Sequence, residues 1–392
     1  MKVLVVGATG FLAKNLIAAL ENIISGKDMS YDVPGCISLY KYSRSMGRER
    51  LAEYCRDCDF VFYLAGVNRP EDPKEYMEGN AEFLGYMLKE LSRQNKACPV
   101  MYASSVQAVS DNAYGESKRA GEHLLERYGQ ETGSAVYIYR LTNIFGKWCR
   151  PDYNSVIATF CYHIAREQPI TIDDEEKKLY LHYIDDVVEE CIGLLKRERA
   201  VKIDNPLCIS STYCVTLKEI TDLIYSFRRS REMKQIPDMR EGSFSQRLYS
   251  TYLTYLPEDQ FRYTAEMNHD QRGSFTELIR TEERGQISVN IIKPGVTKGE
   301  HWHHTKNEKF IVVNGKGLIR LRQIFSREIL DFHVTGAKIE VVDIPPGYTH
   351  NITNEGDTDL VAVMWANEKF QKDRPDTYFL KVEGDEGEEW KN

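Results

Sequence analysis

The hydrophobic pattern of this chain changes its period near residue 245, and one set of packed layers cannot accommodate both halves. Before that point, short apolar runs at 3–6, 37–42, 60–64, 99–103 and 135–139 are separated by helical patterns at 12–22, 74–93, 115–128 and 155–166. Strands alternating with helices predict a doubly wound, Rossmann-like parallel sheet, and continuous apolar strands suit burial on both faces. From residue 275 onward the chain reads as strand after strand, at 275–280, 286–292, 309–313, 318–322, 338–342 and 360–365. Turn signals such as Asn314-Gly-Lys-Gly and Pro345-Pro-Gly separate them, which predicts an all-β sandwich or barrel.

With 392 residues, two domains are expected. Residues 1–247 form the first and 259–392 the second. The Tyr-rich stretch 248–258 is apolar enough to be a packed connector. The acidic end from Glu383 reads as a solvated tail. A formal net charge of −8, with 59 acidic against 51 basic residues, argues against nucleic acid as the main partner. No run is long and apolar enough for a membrane, and the opening strand leaves no signal-peptide pattern, so the expected compartment is the cytoplasm. Nine cysteines, an odd number, fit reduced thiols. Cys55 and Cys58 make a lone CxxC; without a second ligand pair it reads as two semi-buried thiols rather than a zinc site.

Gly7-Ala-Thr9-Gly10-Phe11-Leu12-Ala13 closes the first strand and opens the first helix. Glycines there let the backbone approach a pyrophosphate, and the helix N-terminus offers free N–H groups. After the second strand, where NAD sites place a carboxylate for the ribose hydroxyls, stand Ser43 and Arg44. Arg44 could hold the 2′-phosphate of NADP; the alternative is an exposed surface arginine. Further along, Tyr114 and Lys118 lie four residues apart, on one helix face. The ammonium can stabilise the phenolate, and Ser105, at the end of the preceding strand, can bond the same substrate oxygen.

The glycine motif, Ser105 and Tyr114-Gly-Glu-Ser-Lys118 together resemble the extended short-chain dehydrogenase/reductase family. The run from Asp59 through Leu64-Ala65-Gly66 matches its cofactor strand, and Arg140-Leu-Thr-Asn143-Ile-Phe-Gly146 its substrate side. Tyr183-Ile-Asp-Asp186 matches a further segment, structural or catalytic. The resemblance implies catalytic Ser105, Tyr114 and Lys118. It implies a cofactor bound by Gly7, Thr9, Gly10, Phe11, Leu12, Ser43, Arg44, Leu64, Ala65, Gly66, Tyr114 and Lys118. Sugar-nucleotide 4,6-dehydratases carry Asp-Glu after the catalytic hydroxyl residue; here Val106-Gln107 stands there, so no acid is available to expel a C6 hydroxyl. Ketone reduction needs no such acid.

Five of the nine histidines fall between 301 and 350. Gly295, five residues, His301, Trp302, His303, four residues, Glu308, six residues and Gly315 resemble the first motif of the cupins. Pro345-Pro-Gly347-Tyr-Thr-His350 resembles the second, although Gly336 lies further upstream than usual. Strand alternation would put His301 and His303 on one face, within reach of Glu308 and His350. Three imidazoles and a carboxylate suit Zn, Fe, Mn, Ni or Cu; zinc is favoured, since no oxygen-handling partner is visible.

Longer runs in both domains resemble the bifunctional capsular polysaccharide synthesis enzymes of the CapF type. They include Phe145-Gly-Lys-Trp-Cys, Tyr249-Ser-Thr-Tyr-Leu, Asp270-Gln-Arg-Gly-Ser-Phe-Thr-Glu and His301-Trp-His-His-Thr-Lys-Asn-Glu. That resemblance implies a homodimer acting on a UDP-linked 4-keto-6-deoxy sugar in two steps. The cupin would epimerise C3 of a UDP-2-acetamido-2,6-dideoxy-4-hexulose. The reductase domain would then reduce C4 with NADPH to UDP-2-acetamido-2,6-dideoxy-L-talose, toward UDP-N-acetyl-L-fucosamine. His304, Lys298 and Tyr348 are the candidate epimerase bases. Two alternatives stay open: a single-step reductase whose cupin only dimerises or binds sugar, and a cofactor-sensing binding protein, which the intact Ser105, Tyr114 and Lys118 disfavour.

Overall fold

A computed structural model describes residues 1–33, 36–94, 97–196, 206–281, 284–368 and 376–383; the acidic tail beyond Glu383 lies outside them. The chain divides into two compact units, Met1–Tyr225 with Gln246–Pro257, and Ser226–Ser245 with Glu258–Asn392. Residues 226–245, counted above with the first domain, thus pack with the second. Their contact is a main-chain pairing in which Arg280 N donates to Lys234 O at 2.7 Å and Ile236 N to Arg280 O at 2.8 Å.

The first unit is the expected α/β fold. Strands β1 (Lys2–Val6), β2 (Ser38–Tyr42), β3 (Phe60–Tyr63), β4 (Val100–Ser105) and β5 (Val136–Leu141) form one parallel sheet in the order β2-β1-β3-β4-β5. All four residues of β3 are buried, as the unbroken apolar run requires of a sheet covered on both faces. Helix α1 (Phe11–Ile24) buries Leu12, Leu16, Ile17 and Leu20, one stripe of a 3.6-residue period, each worth roughly 1.5–3 kcal/mol of burial. Helix α2 (Gly47–Cys55) follows β2. The long helical pattern at 74–93 is one rod with a defect: α3 (Lys74–Met77), a π turn at Glu78–Glu82, and α4 (Phe83–Ser92). Helix α5 (Ala113–Thr132) starts at Asn112, whose side chain accepts from Gly115 N at 2.8 Å, and stops at Gly133 in the left-handed conformation.

A smaller sheet of β6 (Asn143–Phe145), β7 (Lys178–Tyr183) and β8 (Tyr213–Thr216) completes this unit, with helices α6 (Val156–Ala165), α7 (Ile184–Gly193), α8 (Leu217–Ser230, which runs on into the second unit) and α9 (Phe244–Leu253). The expected connector is largely α9, and it is packed. Leu248, Tyr252, Tyr255 and Leu256 are buried, and the Tyr255 hydroxyl donates to Cys149 O at 2.6 Å.

The second unit is two antiparallel sheets, face to face. One holds β9 (Asn268–Asp270), β10 (Gly273–Arg280), β11 (Gln286–Ile292), β13 (Glu308–Asn314), β16 (Val341–Ile344) and β18 (Leu360–Ala366), in the order β16-β13-β18-β11-β10-β9. The other runs β15-β14-β17-β12-β19, from β12 (Thr297–Trp302), β14 (Lys316–Gln323), β15 (Ile329–Thr335), β17 (Tyr348–Asn354) and β19 (Tyr378–Phe379). Ile292, Phe310, Val312, Leu360 and Ala362 of the first meet Ile319, Leu321, Val334 and Ile352 of the second in a shared core. The strand expected at 338–342 begins instead at Val341, because 338–340 are spent closing the turn from β15, with Lys338 N donating to Thr335 O at 3.2 Å.

Candidate functional site

In the first unit the sheet order reverses direction between β1 and β3, and α/β proteins bind ligands at such a switch point, beyond the carboxyl ends of the strands. Gly7 follows β1 there, with φ +91°; a Cβ on it would lie 2.7 Å from Ala65 N and 2.8 Å from Ala65 Cα. The loop after β1 therefore presses on the loop after β3, which no other residue allows. Gly7 and Ala8 both donate to Tyr42 O at 2.9 Å, and Gly10 caps α1 without a side chain. Thr9, Gly10, Phe11 and Leu12 thus frame an open helix N-terminus. Ser43 and Arg44 stand at the end of β2, at the same edge. Arg44 is exposed, but its guanidinium turns back toward the π turn: Nη2 would be 3.3 Å from a Cβ on Gly79.

Ser105, Tyr114 and Lys118 meet at the carboxyl end of β4. Lys118 is buried; its Nζ donates to Ala103 O at 3.0 Å and lies 5.8 Å from the centre of the Tyr114 ring. A Cβ on Gly66 would be 3.3 Å from that Nζ, so the loop after β3 and the α5 residues share one pocket edge. Burial lowers the Lys118 ammonium to about 8. Burial also raises the Tyr114 phenol, against a hydrogen bond with Ser105. Lys118 is thus held by a main-chain carbonyl with its ammonium facing the Tyr114 ring.

Two residues at this site carried no signal in the sequence. Asn80, fully buried in the π turn, accepts from Val67 N at 2.8 Å and donates to Val67 O at 3.1 Å and Ser117 Oγ at 3.0 Å. It ties the loop after β3 to the catalytic helix. Tyr76 sets its ring edge-on to Tyr114, centroids 5.6 Å apart. In the Tyr183 segment, Asp186 accepts from Arg247 at 3.0 Å, Arg247 covers the Tyr183 ring, and Asp185 pairs with Lys147.

The second cluster forms where β12, β13 and β17 converge. His301 and His350 are cross-strand partners, their rings 4.6 Å apart; His303 lies 5.0 and 5.4 Å from the two. The convergence does not come from regular alternation. Glu300, at φ +62°, makes a bulge in β12, and the strand ends at Trp302, so His303 arrives from a loop. Glu308 Oε2 lies 3.4 Å from His303 Nε2 and 3.2 Å from His350 Nε2, yet all three atoms are buried with no hydrogen-bond partner. Such orphans are costly, unless a cation takes their lone pairs. Four ligand atoms, one from each residue, lie within 4.8 Å of one another, the one group of this kind among the described residues. Burial and the neighbouring imidazoles push His301 down to about 4, which keeps it neutral. Burial pushes Glu308 up, but the His303 and His350 rings hold it well below the usual carboxylate range. A neutral imidazole, as at His301, and an ionised carboxylate, as at Glu308, are forms that bind a divalent metal.

Of the three base candidates, His304 turns away, set edge-on against Trp302 and Tyr378 with centroids 4.4 and 5.1 Å apart. Lys298 donates to Asn290 Oδ1 at 2.8 Å, and Tyr348 shares a strand face with His350. Cys55 and Cys58 are both buried, with Cys58 Sγ 3.8 Å from Cys98 Sγ.

Comparison with known proteins accounts for both units. A model of the NAD dependent epimerase/dehydratase family matches residues 3–206, and one described as polysaccharide biosynthesis C-terminal domain matches 268–378. The UDP-2-acetamido-2,6-beta-L-arabino-hexul-4-ose reductase of Pseudomonas aeruginosa is 43% identical, over 97% of this chain and 99% of its own. The capsular polysaccharide assembling protein CapF from Staphylococcus aureus is 49% identical in its crystal structure, with TM-score 0.87 over 97% of this chain and 100% of that one. A UDP-glucuronic acid 4-epimerase from Bacillus cereus in complex with NAD, 20% identical with TM-score 0.51 over 65% of this chain, shares the fold alone. Matched over more than half its length by the first family model and over 97% by the Pseudomonas and Staphylococcus proteins, the chain belongs to the NAD-dependent epimerase/dehydratase family and, within it, to the CapF type.

Proposed function

We propose that this chain is a two-step enzyme of capsular polysaccharide synthesis, acting on a UDP-linked 4-keto-6-deoxy sugar. The second unit, a cupin, epimerises C3 of a UDP-2-acetamido-2,6-dideoxy-4-hexulose. The first then reduces C4, giving UDP-2-acetamido-2,6-dideoxy-L-talose. The observation that carries the reading is the meeting of Ser105, Tyr114 and Lys118 beside Gly66 at the switch point, in a chain that also gathers four metal-ligating side chains elsewhere. The working form is proposed as a homodimer; light scattering should give twice 45.3 kDa.

NADPH bound at the loops after β1 and β3 would supply the hydride for C4. Ser105 orients the ketone oxygen, and Tyr114, holding its proton through burial, passes it to that oxygen. Lys118 then stabilises the phenolate left behind. In the cupin, His301, His303, Glu308 and His350 would hold a divalent cation, zinc by preference, which would supply a Lewis acid for the sugar's oxygen atoms. The neighbouring ketone acidifies the C3 proton; Lys298 or Tyr348 takes it from one face, and a proton is returned to C3 from the opposite face, which inverts the centre.

Two tests arise directly. NADPH should bind more tightly than NADH by about 1–3 kcal/mol, the worth of a charge-assisted contact from Arg44 to the 2′-phosphate. Titration of both cofactors with wild type and Arg44→Ala checks it, and equal affinities in wild type refute the role. The second concerns pH. Lys118 must be an ammonium to stabilise the phenolate, and burial lowers it to about 8, so its charge is present below that value and lost above it. The kcat/KM of reduction should fall about tenfold per unit above about pH 8. In Lys118→Arg the fall should move upward; a profile flat across the alkaline range would discount Lys118.

The Pseudomonas relative is named for reduction alone, which favours a second reading: a single-step reductase whose cupin binds sugar or joins subunits. Incubating the keto sugar in deuterated water without NADPH separates the two. Deuterium at C3 supports epimerisation, and its absence supports the second reading.

A further inference from the structure

Residues 376–383 run back along the strands that carry the His/Glu cluster. Tyr378 and Phe379 pair with Trp302 and His301. Leu380 N donates to Glu300 O at 2.9 Å, and Val382 N to the Glu300 carboxylate at 2.7 Å. Thr349, the neighbour of His350, bonds Leu380 O through its hydroxyl, and Arg322 donates to the carbonyls of Lys381 and Val382, at 2.8 Å each. This strap touches the bulge before His301 and the residue before His350 without contributing a ligand itself.

Asp376 begins the strap and has the most specific contacts. Its carboxylate accepts from the main-chain N–H groups of His304, Thr305 and Lys306 at 2.9, 3.0 and 2.9 Å, and from the Thr305 hydroxyl at 3.1 Å. Its main-chain carbonyl accepts from Nδ1 of His303. Asp376 is held at φ +42°, a conformation that a non-glycine residue keeps only where its surroundings over-determine it. A carbonyl oxygen can only accept, so the His303 proton must sit on Nδ1 and the lone pair on Nε2. That Nε2 is one of the buried atoms without a partner, aimed at Glu308. A ligating imidazole is oriented by whatever its other nitrogen bonds, and loss of such a partner commonly weakens metal binding by about 10–100-fold.

We propose that Asp376 is a positioning residue of the metal centre: with one group it fixes the tautomer and ring angle of His303, and with the other it fixes the turn 304–306 that delivers His303 to the cluster. The proposal rests on the reading of His301, His303, Glu308 and His350 as a metal site. The C-terminal strap thereby controls how tightly the distant first motif holds its ion.

The test uses full-length chain, stripped of metal and titrated with Zn(II) against a chromophoric chelator, then loaded with Co(II) for its visible spectrum. Asp376→Ala is expected to bind Zn(II) about 10–100-fold more weakly than wild type, with altered cobalt bands. Asp376→Asn, which keeps one acceptor oxygen, should recover part of the loss. A merely structural role would lower the unfolding temperature of the metal-free and zinc-bound forms alike; a positioning role shrinks the gain on adding zinc. Wild-type affinity and an unchanged cobalt spectrum in Asp376→Ala would overturn the proposal. Should that variant not fold, nitrogen-15 NMR of the histidine rings, assigned with His303→Gln, reads the tautomer in the wild type. A proton on Nδ1 supports the proposal, and one on Nε2 overturns it. Wild type that binds neither metal refutes the metal site itself, a separate result.

Discussion

Replacing Tyr114 by phenylalanine is expected to leave NADPH binding intact and to cut reduction of the keto sugar by about a hundredfold or more, the usual scale for loss of a general acid. The substitution removes one oxygen and preserves the ring against which Tyr76 packs edge-on. Lys118 does not depend on that oxygen for its place, because Nζ is anchored to Ala103 O. Ser105 likewise stays fixed as the cap of the turn after β4, accepting from Gln107 N at 3.2 Å. The loops after β1 and β3 meet through the backbone of Gly7 and Ala65, a contact that does not involve the phenol oxygen. A fluorescence titration with NADPH should therefore superpose on wild type, while single-turnover oxidation of NADPH by the keto sugar nearly stops. Near-wild-type turnover would mean that another group protonates the C4 oxygen.

The α/β unit was legible because its strands are buried on both faces and its helices carry a single apolar stripe; the five expected strands of the main sheet each match an observed one within two residues at either end. The β unit was read less completely. Strand β15 is exposed at five of its seven positions and has no clean alternation, and β17 alternates polar with polar, Thr349, Asn351 and Thr353, around an inward His350 and Ile352. Neither offers the period-two signal by which a strand is recognised. The ligand spacing was visible, but the bulge at Glu300 was not, since a single residue at positive φ leaves no trace in hydrophobicity. Asn80 and Asp376 escaped for a different reason. Each acts through long-range main-chain bonds, to Val67 and to residues 304–306, which no local pattern encodes.

The two proposed sites draw on separate stretches of the chain. Ser105, Tyr114 and Lys118 sit on β4 and α5, within Met1–Tyr225, and His301, His303, Glu308 and His350 on β12, β13, β17 and the loop after β12, within Glu258–Asn392. Each site closes on groups of its own unit: Lys118 on Ala103 and Gly66, His303 on Glu308 and Asp376. The chemistry orders them. Only a ketone at C4 makes the C3 proton removable, and reduction destroys that ketone, so in the proposed two-step reading epimerisation comes first.

The second large effect follows from that order. Purified full-length chain is expected to hold about one divalent ion per chain, and His350→Ala to hold less than about a tenth of that, because structural affinity of such sites collapses when one of four ligands is lost. His350 is completely buried and pairs directly with His301, so alanine there opens the centre of the cluster rather than its rim. In deuterated water, the Tyr114→Phe chain should exchange the C3 proton of the keto sugar without NADPH and stop at the epimerised ketone. His350→Ala should lose that exchange by at least about a hundredfold, yet still oxidise NADPH when given ketone already epimerised at C3. Elemental analysis gives the first number and proton NMR the second. Full metal retention in His350→Ala would remove it from the cluster. Exchange that appears only when NADPH and an intact Tyr114 are both present would assign the C3 chemistry to the reductase site, leaving the cupin without a catalytic part.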